Sequence, residues 1–299
     1  MSRDAFPNEP EIDVRAERAA VPVHRDSDRD PNSDNQTVAP RDDHARPEIG
    51  DSVRAYYLRD RAYLLRESEF TTLVEIGKFR VINSKDLAQF GYAGDAKRLN
   101  RDVRHLVQQG FVAVRSTGTG SWEQESLLVL TKKAKRLLIQ SGRMPEGQAI
   151  YHGLVKPREA SHDAALYRLY QRESARIESA GGRPLRVALD YELKRNLHRA
   201  LAQLGDQGQT REARERVAER QGLVLVNDKV QVPDLRLEYE TADHEYRHVD
   251  LELATRNYRP RALAQKAKAG FSIYAPREDA SKLRRIFDES ELTARIFAL

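Results

Sequence analysis

The alternation of apolar and acidic side chains in "VDLELAT", Val249–Thr255, is the feature that most limits how this chain can fold. Because side chains alternate across a strand, its apolar residues lie on one face and Asp250 and Glu252 on the other. The segment "VPDLRLEYE" comes shortly before it and carries Asp234 just after a proline. This spacing predicts neighbouring strands that bring acidic side chains to one place.

Paired carboxylates on adjacent strands are typical of metal-dependent nucleases, in which they hold Mg²⁺ ions that polarise a phosphodiester and help to generate hydroxide. On this hypothesis Asp234, Asp250 and Glu252 are candidate metal ligands, and Asp234 and Glu252 are the candidate catalytic acids. Mg²⁺ is the only cofactor that the hypothesis requires. The alternative is a solvated strand face at Asp250 and Glu252, with Asp234 in a turn.

A lysine two residues after the second acid usually completes such a site, where it orients water or stabilises developing charge. Ala254 stands at that position, two residues after Glu252. Lys266 and Lys268, on the predicted next helix, are the nearby substitutes, and Lys266 is the candidate catalytic lysine. The alanine favours an inactive, degenerate site over a working nuclease.

The elements around these strands predict a restriction-endonuclease-like domain over residues 160–299. A helix begins near "SHDAALYRLY", and the segments "LVLV", "QVPDLRLEYE" and "YRHVDLELAT" read as three successive strands. A helix, the strand "FSIYA" and a closing helical region, "SKLRRIFDESELTARIF", follow. This order is the α-β-β-β-α-β core of PD-(D/E)xK folds.

Residues 51–141 carry the pattern of a winged helix-turn-helix. Helical periodicity runs from Asp51 to Arg80, and a short helix and the segment "DAKRLNRDVRHLVQQG" follow, with Asp95 as N-cap and Gly110 as stop. The segments "FVAVRS" and "ESLLVLT" read as strands around the Gly-rich tip "TGTGSWEQ". The expected fold class is therefore α+β or α/β, with a winged helix preceding the nuclease-like domain.

Basic residues are concentrated where a winged helix meets DNA. The third helix and the wing can contact phosphates and base edges of double-stranded DNA. Winged helices also serve as protein-binding modules, so a protein-interaction adaptor is the alternative. The candidate DNA-binding residues are Lys97, Arg98, Arg101, Arg104 and Arg115.

Charge and composition divide the chain into an acidic leader and a basic body. The first fifty residues carry a net charge of −5 and the rest +10, for a total of +5. Residues 1–48 have few large apolar side chains and are predicted to be a disordered acidic tail. The chain has no Cys, no apolar secretory leader and no apolar run long enough to cross a membrane, so we expect a cytoplasmic protein. An oligomer is compatible with the pattern, but no heptad seam specifies one.

The ordered set of motifs resembles the replication-relaxation family of bacterial plasmid and mobile-element proteins. It consists of "LLVLTKKAKRLL", "SHDAALYRLY", "VPDLRLEYE" and "VDLELATRNYRPRALAQKAKAGFSIY", and it runs from about residue 60 to 275. The family typically has an Asp at the position of Ala254. The resemblance implies a role in plasmid replication, mobilisation or regulation, with a replication or mobilisation protein as a further partner.

These observations lead to one main expectation and two alternatives. The main one is a DNA-binding protein of a plasmid or mobile element whose nuclease-like second domain is inactive. The first alternative is a Mg²⁺-dependent endonuclease or nickase that uses Asp234 and Glu252, with Lys266 as a displaced lysine. The second alternative is a protein-interaction adaptor.

Overall fold

A computed structural model of the chain describes residues 52–116, 126–153, 159–254, 260–276, 279–281, 284 and 296–298. The predicted acidic tail, the tip of the predicted wing and most of the closing helical region lie outside the described residues. The described part is a mixed α+β structure, as expected. It belongs to one compact unit, so the limits predicted for two separate domains, 51–141 and 160–299, stay a prediction.

The described chain begins with an antiparallel hairpin, β1 (Val53–Leu58) and β2 (Arg61–Arg66). The prediction of a helix from Asp51 was therefore wrong over this stretch. Its apolar residues fit a helical period, but tertiary packing favours strands, because Tyr56 stacks on Phe70 and Tyr63 packs edge-on against Phe111. These ring contacts seat the hairpin on the helices that follow it.

Four helices and a three-stranded sheet follow the hairpin, and the first strand of that sheet, Val81–Asn83, was not predicted from the sequence. The sheet has the order β3-β5-β4 with antiparallel pairing, and β4 and β5 stand on either side of the undescribed residues 117–125. The elements are α1 (Glu67–Phe79), β3 (Val81–Asn83), α2 (Ser84–Gly91), α3 (Ala96–Gln108), β4 (Val112–Ser116), β5 (Ser126–Leu130) and α4 (Lys132–Gln140).

The ends of α3 follow the local signals that predicted them. The Asp95 side chain accepts a hydrogen bond from the Arg98 amide at 2.9 Å, which caps one of the free N–H groups of the first turn. Gly110, just past the helix, has φ of +70°, a left-handed conformation that glycine adopts without steric cost. The predicted helix boundaries are therefore confirmed here.

The second half of the described chain places helices around a mixed sheet. Its elements are α5 (Ala160–Ser179), β6 (Arg183–Leu189), α6 (Asp190–Gln203), a 3-10 helix (Gly205–Gln209), α7 (Arg211–Arg220), β7 (Val224–Val226), β8 (Lys229–Gln231), β9 (Leu235–Glu240), β10 (Tyr246–Leu253), α8 (Pro260–Lys268), β11 (Ser272–Ala275) and β12 (Ile296–Ala298).

The main sheet in the described residues has five strands in the order β12-β11-β10-β9-β6. Strands β6, β9 and β10 are antiparallel, and β11 and β12 run parallel to β10. The segment "LVLV" is a strand as predicted, but among the described residues β7 pairs with β8 in a separate hairpin, and β6 instead lies beside β9 in the main sheet. The end of the predicted closing helical region is strand β12 instead.

One continuous apolar core joins the N-terminal helices to the main sheet. Phe79, at the end of α1, packs edge-on against Tyr167 of α5 at 5.3 Å between ring centroids. The Arg168 guanidinium of α5 forms two hydrogen bonds to the Asp86 carboxylate of α2, at 3.0 and 3.1 Å. Helix α5 is therefore the element through which the two halves pack.

Candidate functional site

Helix α3 presents a basic outer face. Leu99, Asp102 and Leu106 are buried, and this orientation turns Lys97 and Arg104 outward to solvent. Of the other two predicted DNA-binding residues of this helix, Arg101 is exposed and Arg98 is half-buried. The name "α3 face" is used below for Lys97, Arg98, Arg101 and Arg104.

The predicted wing residue Arg115 is exposed near the end of β4. Its guanidinium donates a hydrogen bond to the Val114 carbonyl at 3.2 Å, and its backbone pairs with Leu127 of β5. Arg115 therefore lies on the part of β4 that leads toward residues 117–125, which the structure does not describe.

A buried ionic network lies under α3 and was not foreseen from the sequence. The carboxylates of Glu69 on α1 and Asp102 on α3 are both fully buried. The Arg66 guanidinium lies 2.5 Å from Glu69 and 3.1 Å from Asp102, so one cation bridges the two helices. The His105 ring contacts Glu69 at 2.6 Å.

Two hydroxyl groups and the Arg101 guanidinium, which donates to Asp102 at 3.1 Å, complete the network around Asp102. Ser68 donates to the Asp102 carboxylate at 2.6 Å and Tyr92 donates to it at 3.1 Å. Burial and the nearby carboxylates raise the pKa of Tyr92 well above its ordinary value, so its hydroxyl stays a donor. Because a buried carboxylate is stable only beside its partners, these contacts fix the angle at which α3 packs against α1. The sequence signal for this network was Asp102, a charged residue that lies between Leu99 and Leu106 in the apolar stripe of α3.

The predicted catalytic residues converge at the ends of β9 and β10. The Asp234 backbone N–H donates to Glu252 at 3.2 Å, and the Leu253 backbone N–H donates to the Asp234 carboxylate at 2.9 Å. The Lys266 ammonium lies 3.0 and 3.1 Å from the two Glu252 oxygens. The group formed by Asp234, Glu252, Lys266 and His162 is called the Asp234 cluster below.

Lys266 reaches this cluster from α8 rather than from the strand. Ala254 is fully buried and packs with Leu263, Ala267 and Ile273, so the place where the strand lysine was expected lies under α8. The Lys266 ammonium also donates to the Val232 carbonyl at 2.5 Å. Its three N–H donors therefore all meet protein acceptors.

His162 is the fourth member of the cluster. Its Nε2 lies 3.4 Å from the Asp234 carboxylate and its Nδ1 lies 3.5 Å from Asp163. Burial opposes the charge of the ring, but these two carboxylates outweigh it and raise the pKa of His162 to about 10. Burial likewise works against the Asp234 charge, yet His162 and the Leu253 N–H hold the pKa of Asp234 below its ordinary value.

Asp250 does not join the cluster. Its carboxylate forms two hydrogen bonds to the Arg236 guanidinium, at 2.6 and 2.8 Å, and both side chains are buried. Arg236 also donates to the carbonyls of Gln221 and Gly222, which ties it to the segment after α7. Asp250 is thus held in a structural ion pair on β10.

The donor set as it stands does not fit a divalent cation. No group of three or more His, Asp or Glu side chains arranged to hold a metal occurs among the described residues. Glu252 is fully buried and both its oxygens face the Lys266 ammonium, while Asp234 faces His162. Side-chain cations already neutralise the two carboxylates that a metal would need.

Glu192, near the start of α6, lies in a different set of contacts. It forms an ion pair with Arg186 of β6 and accepts a hydrogen bond from Tyr151 at 3.3 Å. Burial raises the pKa of Glu192 above its ordinary value, although Arg186 acts in the opposite direction.

Comparison with known proteins gives little to set beside this geometry. No family model matches the chain, and no curated protein matches it. A solved structure of Bacillus subtilis PadR in complex with operator DNA is similar over 48% of this chain and 75% of that chain, at 16% identity and a TM-score of 0.22. None of the helices in the described ranges is both long and apolar enough to cross a membrane.

Proposed function

We propose that this chain is a DNA-binding protein whose N-terminal half is a winged helix-turn-helix. The observation that carries the proposal is the α3 face, a row of cations on a helix that a buried ionic network holds in place. Such a helix can enter the major groove, where Arg and Lys meet phosphates and the acceptor edge of guanine. The resemblance to replication-relaxation proteins supports a plasmid or mobile element as the setting.

The chemistry of the α3 face fits duplex DNA better than a protein partner. Its exposed residues are long cations interspersed with Asn100 and Gln108, side chains that read base edges. Val107 is 40% exposed on the same helix and can contact a thymine methyl group. Protein-binding surfaces instead concentrate aromatic and aliphatic side chains at their centre.

The test removes two cations from the α3 face and two from another helix. Lys97→Ala/Arg104→Ala is the test variant, because both residues are exposed and lie outside the buried network. Lys132→Ala/Arg136→Ala removes the same charge from the exposed side of α4 and is the matched control. Gel shifts use a 30-base-pair duplex selected from a random pool by the wild-type protein.

We expect the test variant to bind DNA at least about 10-fold more weakly than wild type. Its affinity should also depend less on salt, because a protein that makes fewer phosphate contacts releases fewer counterions on binding. The control should change affinity much less. Equal affinity of the test variant and wild type would show that α3 does not contact the DNA. Equal losses of affinity in the test variant and the control would show that only the net charge of the protein matters.

A second candidate, a Mg²⁺-dependent nuclease, is favoured by the convergence of Asp234, Glu252 and Lys266. The ion pairs that neutralise both carboxylates count against it. Supercoiled plasmid incubated with the protein and Mg²⁺ or Mn²⁺ tests it. Nicking by wild type that is lost in Asp234→Ala would support a nuclease, and either no nicking or nicking retained in Asp234→Ala would exclude it.

A further inference from the structure

Helix α6 carries a basic surface that the DNA-binding hypothesis does not use. Glu192, Leu193 and Leu197 are its buried residues. From the second turn onward its exposed residues are three cations, one histidine, Ala202 and Gln203, and the helix contains no acidic residue after Glu192. The cations and the histidine, Lys194, Arg195, His198 and Arg199, form the α6 face.

The neighbouring helix α7 shows that this charge pattern is not general. Arg211, Arg216 and Arg220 are exposed there, but so are Glu212, Glu215 and Glu219. The acidic and basic side chains of α7 therefore offset each other along the helix surface. On α6, Lys194 pairs with the Asp190 carboxylate at 2.6 Å, and Arg195 favours the charged form of the buried Glu192 carboxylate, in the direction of a lower pKa.

The remaining residues of the α6 face leave their charge directed outward. His198 and Arg199 form no hydrogen bond or ion pair within the described part of the chain. The Arg195 guanidinium lies 5.9 Å from the ring centre of Tyr191, a residue that is 51% exposed. A row of cations beside an exposed aromatic ring is complementary to a polyanion that carries bases.

The position of α6 relates this face to the Asp234 cluster. The first residue of the helix, Asp190, donates its backbone N–H to the Asp234 carbonyl at 3.1 Å. Arg80, from the end of α1, stacks over the same Tyr191 ring at 4.9 Å. The helix therefore begins where β9 and β10 bring the cluster together, and its basic face extends from that end of the sheet.

We propose that the α6 face is a second contact surface for the phosphate backbone of nucleic acid. The proposal rests on the proposed DNA-binding function for the identity of the partner, but it uses different residues on a different helix. It gives the protein two separate phosphate-contacting surfaces, one on α3 and one beside the Asp234 cluster. The apparent affinity of the full chain would then depend on both.

The experiment compares matched pairs of substitutions in the full chain. Arg195→Ala/Arg199→Ala removes two cations spaced four residues apart on α6, and Arg216→Ala/Arg220→Ala removes two at the same spacing on α7. Binding to a fluorescein-labelled 30-base-pair duplex is measured by anisotropy over a series of NaCl concentrations. A labelled single strand of the same sequence serves as a second probe, and circular dichroism checks the fold of each variant.

We expect the α6 variant to bind one or both probes about 10-fold more weakly at 0.1 M salt. The slope of log affinity against log salt should fall by about 2, because two phosphate contacts are lost. The α7 variant should match wild type. The proposal is overturned if the α6 variant keeps wild-type affinity and slope for both probes, or if the α7 variant loses as much.

The two functional hypotheses fail separately in this design. If Lys97→Ala/Arg104→Ala loses DNA affinity and the α6 variant does not, the DNA-binding hypothesis is supported and the second contact surface is excluded. Loss in the α6 variant alone supports the second surface and removes the role of α3.

Discussion

Two groups of buried charge in this protein have the same ingredients but different surroundings. The network under α3 and the Asp234 cluster each contain two carboxylates, a long cation and a histidine. Under α3, Arg66 contacts both fully buried carboxylates, two hydroxyl groups donate to Asp102, and the His105 ring contacts Glu69. In the Asp234 cluster Glu252 is fully buried, but the Asp234 side chain keeps 20% of its exposure.

The comparison shows that buried paired charge does not by itself mark a reactive site. Each carboxylate under α3 has its hydrogen-bonding capacity used within the protein, so the network orients a helix. The cluster has a closed half, Glu252 with Lys266, and a more open half, Asp234 with His162. The two halves of one cluster therefore differ in their exposure to solvent.

The largest effect that can test this division is expected at Lys266. Lys266→Met removes the ammonium and leaves the Glu252 carboxylate buried without its cation, which costs about 3–5 kcal/mol when one partner of a buried pair is removed. Urea unfolding measures the loss, with Lys268→Met as control because Lys268 is exposed on the same helix. A loss as small as that of the control would mean that Lys266 is not a structural cation.

A smaller effect is expected at Asp102. Asp102→Asn keeps the shape of the side chain but removes the charge that faces Arg66 and two hydroxyl donors, and we expect stability to fall by about 1–3 kcal/mol. DNA affinity should fall as well, since the α3 face would lose its fixed angle. Asp60→Asn, in the exposed turn between β1 and β2, is the control for urea unfolding and gel shifts. Unchanged DNA affinity in a destabilised Asp102→Asn protein would separate the network from the α3 face.

The smallest effect is expected at His162 and depends on pH. The folded pKa of about 10 lies above the ordinary value of 6.5, so the ion pairs of His162 stabilise the fold fully below pH 6.5. This stabilisation is lost progressively as pH rises toward 10. The free energy of unfolding of wild type should exceed that of His162→Gln by on the order of 2 kcal/mol at pH 6, and the difference should shrink by pH 10.

His198→Gln, exposed on α6, controls for the loss of a histidine in the same pH series. A difference between wild type and His162→Gln that stays constant from pH 6 to pH 10 would show that the charge of His162 is not what stabilises the cluster.

Local sequence signals accounted for much of the N-terminal half. Asp95 and Gly110 delimited α3 because capping and left-handed backbone depend on the residue itself. The apolar stripe of α3 also identified which cations point outward, because a helix surface follows from its period. The same reasoning failed at residues 53–66, where the sequence fits a helical period and a strand alternation equally well. There the packing of Tyr56 on Phe70 and of Tyr63 on Phe111 favours the strands.

The main sheet shows where local signals ended. The segments of β9 and β10 were predicted from their alternation, but β6 was not predicted to be the partner of β9. The end of β6 lies 46 residues before the start of β9, and the nearer segment "LVLV" has equal strand character. Sequence alternation also placed Asp250 and Glu252 on one face without distinguishing them. In the structure Asp250 forms an ion pair with Arg236, and Glu252 forms one with Lys266. Both pairs join different elements of the chain.

By itself the sequence indicated the class of most elements, though not of residues 53–66, together with the basic face of α3 and the pair Asp234 and Glu252, because periodicity, capping and alternation are local properties. Only the tertiary structure showed that Lys266, rather than Lys268, lies against Glu252 and that His162 joins Asp234. It also revealed the α6 face next to them. The physical reason is that charge neutralisation in a buried site depends on which side chains meet in space, and no spacing along the chain encodes that.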